Sequence, residues 1–158
     1  MGKCTDDMIN VDAVGINKRR LGKLNCFIKW LKDEGVIDDT PNSFKMNAYA
    51  SIARVFGIDL GYEFNCIVGG VPYSVFLARD AKRVKPERCK SVPFSNEKFI
   101  SFIKGKSERL LACEALIADL KVRYGEVGEN NITEGLRESF NQNTIKSAFL
   151  ELRAAGVL

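Results

Sequence analysis

A chain of 158 residues that is 46% hydrophobic and 28% charged holds enough apolar material for one core or two small lobes, which excludes a disordered polymer. Its 24 Lys and Arg against 20 Asp and Glu leave a net charge of +4, compatible with a polyanionic partner but short of the cation density of a strongly basic domain. There is no His, and the five Cys are scattered without a C-x-x-C pair, so neither a zinc site nor the usual His-dependent nucleophile systems are expected, and no cofactor is.

The first residues lack a charged stretch leading into an apolar one, and no apolar run approaches the roughly 18 residues of a membrane span. The expected compartment is therefore cytoplasmic, without membrane attachment. Met1-Gly2-Lys3-Cys4-Thr5-Asp6 misses a myristoylation signal because Asp6 stands where Ser or Thr is needed. Cys26 and Cys113 fall in helical patterns and Cys66 in a strand pattern, and they read as buried thiols of a reducing compartment.

Along the chain, residues 1–16 show no sustained period; Met8, Ile9, Val11, Val14 and Ile16 fit a short strand or an irregular lead-in. From Asn17 onward Leu21, Leu24, Phe27, Ile28 and Leu31 recur at helical spacing, with Lys18, Arg19, Arg20, Lys23, Lys29 and Lys32 off that stripe, and Gly35 supplies a stop. A turn at 38–43 leads to a helix over 46–56, closed by Gly57. Tyr62, Phe64, Cys66 and Val68 then alternate, which predicts a strand over 62–68 ending in a tight turn at Gly69-Gly70. Ser74 caps a helix that Pro86 should end near Lys85.

Residues 86–94, with Pro86 and Pro93, read as a linker and divide the chain into an N-terminal lobe, 1–90, and a C-terminal lobe, 91–158. Beyond it, Ser95 caps a short helix with Phe99, Phe102 and Ile103 inward, and Ser107 caps a longer one. On the latter Leu110, Cys113, Ile117, Leu120 and Tyr124 form an apolar seam of about two heptads, which fits an intramolecular core stripe better than a dimer interface, though a homodimer stays open. A polar loop at 126–131 precedes a helix from Thr133 to Phe140, a turn at 141–143 and a last helix over 144–154. The fold class is mainly α with a short strand element (α+β), built from helix-turn-helix or winged-helix-like units in two small lobes.

Two helical stripes end alike, at Gly35-Val36-Ile37 and at Gly156-Val157-Leu158, as the third helix of a helix-turn-helix unit often does. If the last helix reads DNA, Asn143, Thr144 and Lys146 are its candidate contacts, beside Gln142, Ser147 and Arg153. The competing reading is two amphipathic helices that simply close a core. Denser basic patches lie at 18–32 and 79–90, and Arg79, Lys82, Arg83 and Lys85 are the preferred anion-facing residues; the competing reading there is a solvated helix face. No aromatics interleave with these cations, so a single-strand stacking platform is not indicated. The stretch Gly69 to Ser74 lacks the Gly-Lys-Ser/Thr ending of a phosphate loop and reads as a structural turn with a Ser cap.

The order Leu21-Gly22-Lys23-Leu24-Asn25-Cys26-Phe27, then Tyr62-Glu63-Phe64, then Val71-Pro72-Tyr73-Ser74 before a helix with Leu77 and Asp80 resembles the YwgA-like group of bacterial and archaeal proteins. That group shows a Lys-Leu-x-Lys-Leu helix, an aromatic strand, and Tyr-Gly-Pro-Tyr-Ser opening a helix. The chain is more distantly similar to the SocA/GepA-like (Panacea) antitoxin domain. The likeness runs over residues 17–158, with departures: Val71 splits the Gly-Pro pair, Gly22 and Asn25 replace bulkier or more helix-prone residues, and a helical segment, 44–57, precedes the strand. It implies a regulatory or interaction domain, one that could mask a partner protein, and transfers no catalytic residue.

The resulting expectation is a non-enzymatic regulator associated with duplex DNA. The alternatives are an antitoxin-like protein binder with an apolar patch at Phe94, Phe99 and Phe102, and an enzyme using Glu63 and Asp80, which would need two acids converging in a deep pocket.

Overall fold

A computed structural model describes residues 2–3, 14–125 and 128–158. The chain is mainly helical with one small sheet, in the order β1 (Gly2–Lys3), α1 (Lys18–Asp33), α2 (Ser43–Val55), β2 (Cys66–Val68), β3 (Val71–Tyr73), α3 (Val75–Ala81), α4 (Glu97–Ile103), α5 (Glu108–Tyr124), α6 (Glu129–Leu136) and α7 (Gln142–Ala154). The remaining residues of 1–16 lie partly outside the described range.

Side-chain caps set most helix starts: Asn17, Asn42, Ser74, Asn96, Ser107 and Asn141 each accept a hydrogen bond from the backbone N–H three residues on. Asn96 takes the place expected of Ser95, because its amide also donates to the Phe56 carbonyl at 3.1 Å and so joins α4 to the end of α2. Thr133 caps nothing; α6 begins after Gly128, places Thr133 mid-helix and ends at Leu136 rather than Phe140.

The repeated helix stop proves to be a general device. Gly35, Gly57 and Gly156, at φ 74, 84 and 76°, end α1, α2 and α7. In each case the next residue's N–H reaches back five positions, Val36 to Leu31, Ile58 to Ala53 and Val157 to Leu152. This is the Schellman arrangement, which needs only a left-handed Gly and a following apolar residue. Occurring on α2 as well, it is not specific to a helix-turn-helix unit.

The expected strand over 62–68 shortens to Cys66–Val68, which pairs antiparallel with β3 in the register Cys66↔Tyr73 and Val68↔Val71, and parallel with β1. Residues 62–65 instead spend their polar groups on side chains: Tyr62 bonds Asp80, and the Phe64 carbonyl accepts from Arg123. Gly69 and Gly70 are the two-residue hairpin turn, at φ 59 and 81°, the signs a type I′ turn demands. This hairpin lies between α2 and α3 and packs on α2 and α5.

At the centre α2 and α5 bury almost every side of themselves. Residues 46–53 of α2 and 111–119 of α5 are all buried. Small residues such as Ala50, Ala53, Ala115 and Ala118 allow a close approach, which the Ser51 hydroxyl bridges to the Ala115 carbonyl at 3.4 Å. Cys113 and Ile117 of the apolar seam sit in this intramolecular core, whereas Tyr124 is 65% exposed. The cluster takes in Leu24 to Leu77 from one side of position 90 and Phe99 to Leu152 from the other, so the two expected lobes share one core.

Cys26 and Cys89, 63 positions apart, form a disulfide with Cα atoms 5.0 Å from each other, and Cys66 is also disulfide-bonded. The reading of buried thiols therefore holds only for Cys113, which is free and fully buried. Burial patterns report where a sulfur sits, not what it bonds.

Candidate nucleic-acid interface

The basic stretch at 79–90 divides on folding. The helix after Ser74 stops at Ala81 rather than near Lys85, tapering through short bonds such as Arg83 N–H to the Asp80 carbonyl at 2.9 Å. Arg79 falls on its inner face, 4% exposed, and is withdrawn from any anion-facing surface. Its Nε donates to Asp80 at 3.1 Å and its Nη1 to the Val14 carbonyl at 2.8 Å. Asp80, wholly buried, also accepts from the Tyr62 hydroxyl at 2.7 Å and faces Arg20 Nε at 3.6 Å. Burial, and then the Asp80 carboxylate beside it, raise the Tyr62 hydroxyl far above its ordinary pKa. A charge desolvated this deeply needs its partners, which is why Arg79 turns inward.

Lys82, Arg83 and Lys85 remain exposed, and Arg88 and Lys90 with them. Pre-proline Lys85 is extended, at φ −133°, and Pro86–Arg88 makes a single 3-10 turn that packs against α1. Three links fix it there: the Cys26–Cys89 disulfide, the Lys85 N–H to Asn25 Oδ1 at 2.8 Å, and the Cys26 sulfur near the Ser91 carbonyl at 3.8 Å. Residues 18, 22, 26 and 29 follow one edge of α1 at spacings of three and four, and residue 19, three before 22, adjoins it. Lys18 and Arg19 therefore lie on the edge that carries the disulfide, and Lys29 one turn beyond it. The second basic stretch is thus brought against the middle of α1, the helix that carries the first, with Asp33, which pairs with Lys29 at 3.4 Å, and Glu87 as the acids within the two stretches.

On α7 the inward stripe is Ile145, Ala148, Phe149 and Leu152. Asn143 and Lys146 are exposed and Thr144 half-buried, its N–H held by the Asn141 cap at 2.8 Å. Leu150 stands 66% exposed on the outward side, and Arg153 is engaged by Glu129. The α6–α7 pair therefore has helix-turn-helix punctuation but few free cations. Its α7 packs on α5, whereas the 3-10 turn of 86–88 packs on α1.

Neither alternative finds its expected residues. Phe99 is 0% and Phe102 8% exposed, and Phe94 stacks on Trp30 with ring centres 5.4 Å apart, so the aromatic patch is spent inside the molecule. Glu63 is exposed while Asp80 is locked between arginines. Two other acids do converge: Lys106 Nζ lies 2.6 Å from Glu114 and 2.8 Å from Glu151, above the Phe102 ring. Burial pushes the Glu114 carboxyl up to about 8, against the lowering effect of Lys106. A cleft of about 800 Å³ between α4, α5 and α7 is lined by Lys106, Glu151 and Glu97 but not by Glu114, so the two converging acids do not both face it. The sequence signal for this cluster was a lone Glu inside the apolar run 111–118.

No family model, curated protein or solved structure matches the chain. The surface itself must carry the functional reading. Among the described residues no group of His, Cys, Asp and Glu is arranged to hold a metal ion, and no helix is long and apolar enough to cross a membrane.

Proposed function

We propose that this protein is a cytoplasmic, nucleic-acid-associated regulatory module that holds duplex DNA by its phosphates. The observation that carries this reading is the packing of the 3-10 turn on α1, which sets the exposed cations Lys85, Arg88 and Lys90 against a helix that itself presents Lys18 and Arg19. Exposed Lys and Arg gathered on neighbouring elements suit a polyanion, whose binding is driven by counterion release. The aromatics nearest this surface, Phe27 and Trp30, are buried among other rings, which favours duplex phosphate contact over base stacking. The α6–α7 pair makes a winged-helix-like placement of α7 in a groove a second contribution, through Asn143, Thr144 and Lys146.

Titration of a random-sequence duplex at several salt concentrations tests it. Weak binding is expected, with log K falling linearly against log salt by about 0.9 per phosphate neutralised. Reversing Lys82, Arg83 and Lys85 to Glu should weaken binding at least tenfold and lower the slope by roughly 2 to 3. Loss on substituting Asn143 and Lys146 would add α7 to the interface. Absence of binding at low salt overturns the proposal.

A further inference from the structure

We infer that the Cys26–Cys89 disulfide is a redox clamp that sets whether residues 82–90 are fastened to α1, and thereby gates the affinity of the cationic surface for duplex DNA. The gating rests on the function proposed above; the fastening does not.

The reason lies in how little else holds the segment. From position 82 to 98, Cys89 is the only buried residue. The Pro86–Arg88 turn buries none of its side chains and has no side-chain cap. Val84 and Val92 only touch the core, and Phe94, stacked on Trp30, anchors the stretch from its far end. Next to the disulfide there remain one hydrogen bond, from the Lys85 N–H to the Asn25 side-chain oxygen, and a long sulfur–carbonyl contact at 3.8 Å. Segments with few buried apolar contacts open at low free-energy cost once a crosslink is removed. In a reducing compartment, disulfides that do form are mostly transient and redox-sensing.

The chemistry is a two-electron exchange with a dithiol reductant. Its thiolate attacks the sulfur of Cys26, the more exposed of the pair, and Cys89 leaves as a thiolate. The reductant's second thiol resolves the mixed disulfide, so the protein gains two thiols and the reductant becomes the disulfide. Cys113 does not compete, because burial pushes its thiol up to about 12. Released, Lys85, Arg88 and Lys90 are no longer held against α1 at Asn25 and Cys26, and the phosphate contacts they would share with that helix disperse.

The full-length oxidised protein, the same protein reduced with dithiothreitol, and the Cys26→Ser/Cys89→Ser double variant are compared in two measurements. Amide hydrogen exchange reads the fastening; salt-dependent titration with random duplex DNA reads the gating. The double variant isolates this bond, since dithiothreitol also acts on the disulfide at Cys66. Should the variant fail to fold, as seen by circular dichroism, the reduced wild type decides. Breaking the bond is expected to speed exchange across 82–91 while α2 and α5 stay protected, to raise the Kd about tenfold, and to lower the salt slope by about 2. Unchanged exchange in 82–91 overturns the clamp. Faster exchange with unchanged affinity overturns the gating. If the oxidised protein binds no duplex, the proposed function and the gating fall together, while exchange still decides whether the clamp exists.

Discussion

Lys106 meets two carboxylates at once, and one ammonium neutralises only one of them. Glu114 is fully buried, whereas Glu151 keeps part of its side chain in solvent. The lower-cost arrangement at neutral pH keeps a proton on Glu114, which is the direction in which burial moves it, from 4.5 to about 8. Because the folded pKa lies above the unfolded one, the associated stability is fully present below about 4.5 and is lost as the pH rises through about 8. Thermal melts from pH 5 to 8 should therefore show a falling Tm, as the unfolding free energy drops by up to about 1.4 kcal/mol per pH unit. Glu114→Gln, which cannot ionise, should flatten that slope while retaining a contact to Lys106. A variant as pH-dependent as the wild type would assign the effect elsewhere.

Glycines at the level of single elements make a paired test, since they look alike in sequence and differ in backbone. Gly22 sits inside α1 with no atom within 4 Å of where a Cβ would stand, and its φ is not positive. Gly57 has equal room but closes α2 at φ 84°. Gly22→Ala should stabilise the protein by about 0.5–1 kcal/mol, through helix propensity alone. Gly57→Ala should destabilise it by about 1 kcal/mol, because an L side chain pays for the left-handed conformation. Denaturant melts of the two variants settle it; like signs would refute the capping argument. The same elements show what sequence could tell. The amphipathic period of α1, the Ser74 and Ser107 caps and the last helix were legible because each is a local signal. The shortened strand, the early end of α3 and the inward turn of Arg79 were not, since they depend on Asp80, Arg123 and Val14 arriving from elsewhere in the chain. In the candidate site, Lys82, Arg83 and Lys85 were readable as exposed cations, but their union with α1 rests on a disulfide that spacing cannot reveal.

For the molecule as a whole, the proline-rich stretch at 86–94 looked like a boundary, yet the packing runs straight across it. The α2 helix, from before it, and α5, from after it, cover each other over consecutive buried turns. Arg54 reaches from α2 to Asp119 of α5 at 2.6 Å, and Arg123 continues from Asp119 to the Phe64 carbonyl. Asp119 is wholly buried and in an isolated C-terminal fragment would lose Arg54, keeping Arg123 as its counter-charge but without the α2 surface that shields the pair from water. Phe27 and Trp30 of α1 would similarly lose Phe94 and Phe99, which both fall in the fragment 91–158. Neither half can then bury its own apolar face, so the protein should unfold in one cooperative transition. Fragments 1–90 and 91–158 made separately should each show little fixed tertiary structure by near-ultraviolet circular dichroism, and should recover it on mixing. Two independent transitions in the intact chain, or a fragment that folds alone, would restore the two-lobe description. A single transition would place the cationic surface at the margin of one rigid core, which is what lets a single crosslink decide whether residues 82–90 belong to it.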